Sequence, residues 1–283
     1  MTSTTIAASP HVPASYRGRS AVWRALALKA WRETRTRFTV GTLVVVGICA
    51  FFTLMHPWII SRWRLDLIRH PDWDYSPWFY RALEDYPFFI WHFLFEDMLQ
   101  KAFVVFAVLL GVGGLTREAA YGTAGFTLSL PIRRWELLAA RAAVAIAELV
   151  ALGAVAAAVI LSGSRVVGAE YPSAHALLHV SLLVAGALVP LAVSLWVSAV
   201  VDGEHAPVLL VLSAVGMFYF LVQPYVDGAP MPLFVRALNM PGVMAGNPGA
   251  TIADVHWIGM GVTLLVGAAA FAGAFRRSAT RDY

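Results

Sequence analysis

The chain holds 283 residues, 59% of them hydrophobic and 13% charged, with a formal net charge of +4. A soluble domain carries about 25% charged residues, so a chain this apolar cannot cover its surface for water, and its solvent is largely lipid. The single cysteine, Cys49, lies in an apolar run, which excludes an intrachain disulfide and a thiolate metal site. A small buried apolar residue is the plain reading of Cys49, and a redox sensor the sharper alternative.

The chain starts with a polar, proline-containing stretch that lacks the basic start and short apolar core of a cleavable signal, so residues 1–19 read as a disordered cytoplasmic tail. In residues 20–37, Val22, Trp23, Leu26, Ala30 and Trp31 fall near helical spacing, with Arg24, Lys29, Arg32, Arg35 and Arg37 mostly around the rest of the turn. That pattern predicts a basic amphipathic helix on the cytoplasmic leaflet. The topology accounts for its arginines, so no nucleic-acid partner is expected.

A membrane helix needs about 20 mostly apolar residues. Six stretches meet this: residues 38–60, 98–115, 142–161, 176–201, 206–226 and 255–275. Each must be helical, because lipid offers no partner to a free backbone amide. The expectation is therefore an all-α, polytopic membrane protein with a six-span domain over residues 38–275 and a cytoplasmic tail, residues 276–283. With the amino terminus inside, 14 of the 21 Lys and Arg fall on cytoplasmic segments and 6 outside, leaving Lys101 within a span. This bias places both termini in the cytoplasm.

Between the first two spans, the outer loop of residues 61–91 is dense in rings: Trp63, Trp73, Trp78, Trp91, Tyr75, Tyr80 and Tyr86. These suit the headgroup level as interfacial helices, or alternatively the mouth of a path for an amphiphilic substrate. A later outer stretch, residues 231–254, is rich in Pro and Gly and reads as an irregular cap before the last span.

The cytoplasmic connection of residues 116–141 is the most informative segment. Arg117 and Glu118 end a span, and Gly122 and Thr123 follow. Leu128, Ser129, Leu130 and Pro131 then make a break. Arg133, Arg134 and Glu136 form a polar face opposite Leu137 and Leu138. Read bottom-up, this is a short helix, a break and a second short helix on the inner leaflet, where a soluble partner can reach it. The stretch 114–141 resembles the permease subunits of the ABC-2 exporter family, which carry an Arg-Glu pair, Gly-Thr, a Leu-Ser-Leu-Pro turn, an arginine and an aliphatic run ending in a basic residue.

The resemblance implies a coupling helix seated in a groove of a separate ATPase subunit, with contacts from Arg117, Glu118, Gly122, Thr123, Leu128, Pro131, Arg133, Arg134 and Glu136. It also places a smaller contact between the fourth and fifth spans, at Asp202 and Glu204. It implies two ATPase subunits holding ATP and Mg, and a second permease chain, a copy of this one or a similar one. The setting would be a bacterial inner membrane. The chain has no Gly-x-x-x-x-Gly-Lys-Ser/Thr motif, so it is expected to bind no nucleotide or other cofactor itself and to catalyse nothing. The alternatives are a membrane assembly or anchoring protein, and a membrane enzyme acting on lipid or haem.

Three smaller features carry sharper readings. His175 and His179 are four apart, a spacing open to a metal or haem but more ordinary for an interfacial pair. Gly163-Ser164 lacks the deep histidine that an intramembrane serine protease needs. Glu148 is an acid within an alanine-rich span. It reads equally as part of a transport path or as a packing group paired to Lys101 or to a hydroxyl.

Overall fold

The computed structural model describes residues 17–113, 133–201, 206–226, 239–249 and 251–280, and no strand occurs among the described residues. Helix α1 runs unbroken over Arg17–Arg69, ~80 Å at the α-helical rise. No glycine or proline lies between Ser20 and Val40, so nothing interrupts the chain where the amphipathic stretch meets the first apolar run. The basic segment of residues 20–37 is therefore the N-terminal part of the same helix as residues 38–60. Its buried side is continuous with the rest: Leu26, Ala30, Thr34, Val45, Cys49, Thr53 and Ile60 fall on one stripe.

That stripe packs along α5, Arg134–Val166. The two helices run parallel. Trp23 meets Trp135 with ring centroids 6.3 Å apart, Thr34 meets Glu148, and Gly163 faces Thr53. The opposite side of α1 exposes Val40, Leu43, Phe51, Leu54 and Trp58, a surface suited to acyl chains.

After α1 come α2, Pro77–Glu84, and α3, Tyr86–Ile90. A π-helical stretch, Trp91–Met98, follows and passes directly into α4, Leu99–Gly111. The aromatic outer residues divide in two. Trp63 packs among Phe79, Phe89 and Phe93, with centroids 4.9 to 6.0 Å away, and Trp91 is buried, its Nε1–H donating to Ala245 O at 3.0 Å. Trp73, Trp78 and Tyr80 are exposed. Aromatic packing thus takes up part of the loop as core rather than as headgroup anchors.

Helix α6, Ser173–Val200, is the hub, packing against α4, α5 and the helices that follow. These are α7, Ala206–Val226, α8, Met240–Ala245, and α9, Trp257–Thr280. The Pro- and Gly-rich outer segment is not wholly irregular. Within it α8 is capped by Asn239, whose Oδ1 accepts from Gly242 N–H at 3.0 Å. It wedges against α6, with Met244 fully buried on Gly186, and Gln100 of α4 donates to Pro241 O. A single turn, Ile252–Asp254, then leads into α9.

Four of these helices are long and apolar enough to cross a bilayer: α1, α5, α6 and α9. Two further apolar helical stretches, Tyr86–Met98 continued by α4, and α7, lie between them in the chain order.

Candidate coupling site

Of the residues expected to contact an ATPase, Arg117, Glu118, Gly122, Thr123, Leu128 and Pro131, and the acidic pair Asp202 and Glu204, lie outside the described residues. What the structure places is the root of that segment: the point where the chain leaves α4 and the point where it joins α5.

A helix ends with carbonyls that have no partner inside it and that carry the negative end of its dipole. At the end of α4 two arginines from other helices supply the donors. Arg37 of α1 donates to Leu109 O at 2.5 Å and to Val112 O at 2.7 Å. Arg141 of α5 donates to Val112 O at 2.5 Å and reaches Glu33 Oε2 at 3.5 Å. A cation at a partly buried helix C-terminus is worth up to ~2 kcal/mol. Gly113 follows with φ of 121°, a left-handed conformation that favours glycine, and a Cβ there would lie 2.7 Å from Arg141 Nη2. Its N–H donates to Ser198 Oγ of α6 at 3.3 Å. Two residues earlier, Gly111 lets α4 approach α6 so closely that a Cβ would fall 1.8 Å from Ser194 Oγ. Three helices therefore converge on the last two backbone units before the segment begins.

The far end is fixed by a cap. Arg133 N–H donates to Glu136 Oε2 at 3.1 Å, holding the first turn of α5. Glu136, placed by the sequence on a partner-facing surface, is thus occupied in starting this helix. Arg133 and Trp135 are exposed beside it.

Glu148 joins the same junction. Thr34 Oγ1–H donates to Glu148 Oε1 at 2.5 Å, and the Arg141 and Arg37 guanidiniums act on the carboxylate electrostatically. Of the two partners weighed from sequence, the hydroxyl is the one found, and Lys101 pairs with Asp97 instead. Because Thr34 precedes the apolar run of α1, Glu148 lies level with the start of that run rather than with its middle. Glu33 and Thr34 had carried no signal in the sequence, Arg37 had counted as a basic residue of the amphipathic stretch, and Arg141 as the basic end of the family-like string. An arginine as the last residue before a long apolar run was the available clue to Arg37 and Arg141.

The other candidates resolve as packing. His179 is buried, with Nε2–H donating to Asn247 O at 3.2 Å and Nδ1 accepting from Tyr171 Oη at 3.4 Å. Ser164 donates to Ile160 O at 2.6 Å and accepts from Tyr86 Oη at 2.8 Å. No group of three or more His, Cys, Asp or Glu able to hold a metal occurs among the described residues.

Helices of this length and apolarity suit a multi-pass membrane protein, and the family comparison says of which kind. The model of the ABC-2 family transporter proteins matches residues 28–252. The chain belongs to the ABC-2 transporter family. No curated protein and no solved structure shows a significant match. As an ABC-2 family protein it is a multi-pass membrane component of an ABC transporter, a transport part rather than a catalytic one, and membership implies association with an ABC ATPase.

Proposed function

We propose that this chain is the permease subunit of an ABC exporter in a bacterial inner membrane, forming the substrate path with a second copy of itself. In this reading α1, the stretch from Tyr86 to Gly111, α5, α6, α7 and α9 are the six spans, and both termini are cytoplasmic. Two separate ATPase subunits hold ATP and Mg and dock on residues 116–141, with a smaller contact at Asp202 and Glu204. ATP binding closes the ATPase pair and moves the docked segment. The spans follow as rigid bodies and expose the path alternately to each side.

One observation carries the reading. The segment is rooted at both ends on rigid helices, through Val112–Gly113 under Arg37, Arg141 and Ser198, and through the Glu136 cap. A push on it is delivered to α1, α4, α5 and α6 together, which is what a coupling element needs.

The test is the double variant Arg133→Glu with Arg134→Glu. Interface energy concentrates in a few buried anchors, so single rim charges matter little. The double reversal should weaken co-purification of the ATPase more than either change alone, and hydrolysis should lose its response to substrate. Normal co-purification with normally coupled hydrolysis would remove residues 116–141 from the role.

A further inference from the structure

On the outer half of the second span, the charged side chains of Asp97 and Lys101 are exposed among the described residues. Asp97 and Lys101 form an ion pair one turn apart, with side chains 39% and 59% exposed. His92 and Glu96 pair at 2.6 Å just before them. Met98, Lys101 and Val105 fall at helical spacing on one exposed stripe. The π-helical stretch ends here, with Leu99 N–H donating to Leu94 O five residues back. Such wide turns inside α-helices gather at functional sites.

Height decides what that stripe can face. Val112, held by Arg37 and Arg141, marks the inner boundary. At the α-helical rise Lys101 lies ~16 Å above it and Asp97 ~22 Å, within a hydrocarbon core about 30 Å thick. Neither side chain can snorkel to a boundary from there. Ionised groups at this depth face protein or water rather than acyl chains. A second copy pressed on the stripe would have to strip water from a pair that is already made, at a desolvation cost that its own attraction does not recover.

We propose that the stripe of Met98, Lys101 and Val105, with Asp97 beside it, lines a water-filled path through the assembled permease. The inference rests on the six-span permease reading and moves the polar lining of the path from Glu148, at the inner boundary, to Asp97 and Lys101. The solute that passes is one that tolerates a hydrated ion pair in the outer half of the membrane, carrying polar or charged groups of its own.

Single cysteines at Met98, Lys101 and Val105, in the full chain with Cys49→Ala, test this in native membranes with a sulfonate-bearing methanethiosulfonate. That reagent attacks thiolates, which form only where water reaches. Phe51→Cys is the control, exposed on the apolar side of α1 and, at ~21 Å beyond Arg37 by the same rise, near the height of Met98. The three stripe positions should react at least about tenfold faster than the control, since only theirs are hydrated thiols. Met98→Cys and Val105→Cys leave the ion pair intact, so the test survives a poorly folded Lys101→Cys. Reaction as slow as at Phe51 overturns the proposal, and so does protection combined with a disulfide between copies at position 101. ATPase co-purification from the same membranes separates the two readings. A reactive stripe without bound ATPase keeps the aqueous face and sinks the proposed ATPase-coupled permease. An unreactive stripe with bound ATPase does the reverse.

Discussion

Gly113 concentrates several demands at one backbone position. Its φ of 121° and the guanidinium of Arg141 against its missing Cβ leave no room for a side chain. Gly113→Ala should therefore cost ~1–3 kcal/mol of backbone strain and displace Arg141 from Val112 O. Thermal unfolding in detergent should show the loss of stability, and substrate-stimulated hydrolysis should fall more than basal hydrolysis. An unchanged response would mean that the root does not transmit. Nearby, Thr34→Val removes the described donor to a buried carboxylate and should lower stability by ~1.5–3 kcal/mol. Glu148→Gln keeps an oxygen for Thr34 to donate to, so it should cost less and leave transport intact. Loss of transport with normal assembly in that variant would return Glu148 to the path. That Glu148 could pair with a hydroxyl was legible beforehand, but which hydroxyl was not. Glu148 and Thr34 are 114 residues apart, and composition shows that an acid in an apolar run needs a partner without showing which.

At the scale of elements, the apolar runs were the readable part, because lipid forces any long uncharged stretch into a helix. The join between residues 20–37 and the first run was not, since amphipathic spacing looks the same whether the apolar face meets lipid or another helix. Here Leu26, Ala30 and Thr34 face α5. Hydrophobic spacing also could not reveal α8, whose six residues are held by Asn239, Trp91 and Gln100 rather than by their own periodicity. The start of α9 gives an element-level prediction. The backbone N–H of Thr251 and then its hydroxyl donate to Asp254, holding that carboxyl below its usual range. A depressed pKa contributes stability that is present above the unfolded carboxylate value and lost as pH falls through the folded one. The difference in thermal midpoint between the native chain and Asp254→Asn should therefore be full at neutral pH and shrink below about pH 4. A difference independent of pH would deny the cap its charge.

For the whole molecule, the central proposal is mechanical: apolar helices meet a separate ATPase chiefly through residues 116–141, a segment rooted where α1, α5 and α6 converge on the end of α4. The local string near Pro131 was enough to suggest the family, because its turn and charges are specific in sequence. The root was hidden because its members come from four distant stretches. The most direct test places a photo-reactive residue at Trp135, exposed beside the start of α5, and another at Asp72 in the outer loop, and irradiates living cells. The account predicts a cross-linked product from position 135 that contains an ATP-binding-cassette subunit, and none from position 72. An ATPase adduct from position 72, or its absence from position 135 in a complex that still co-purifies with the ATPase, would contradict it.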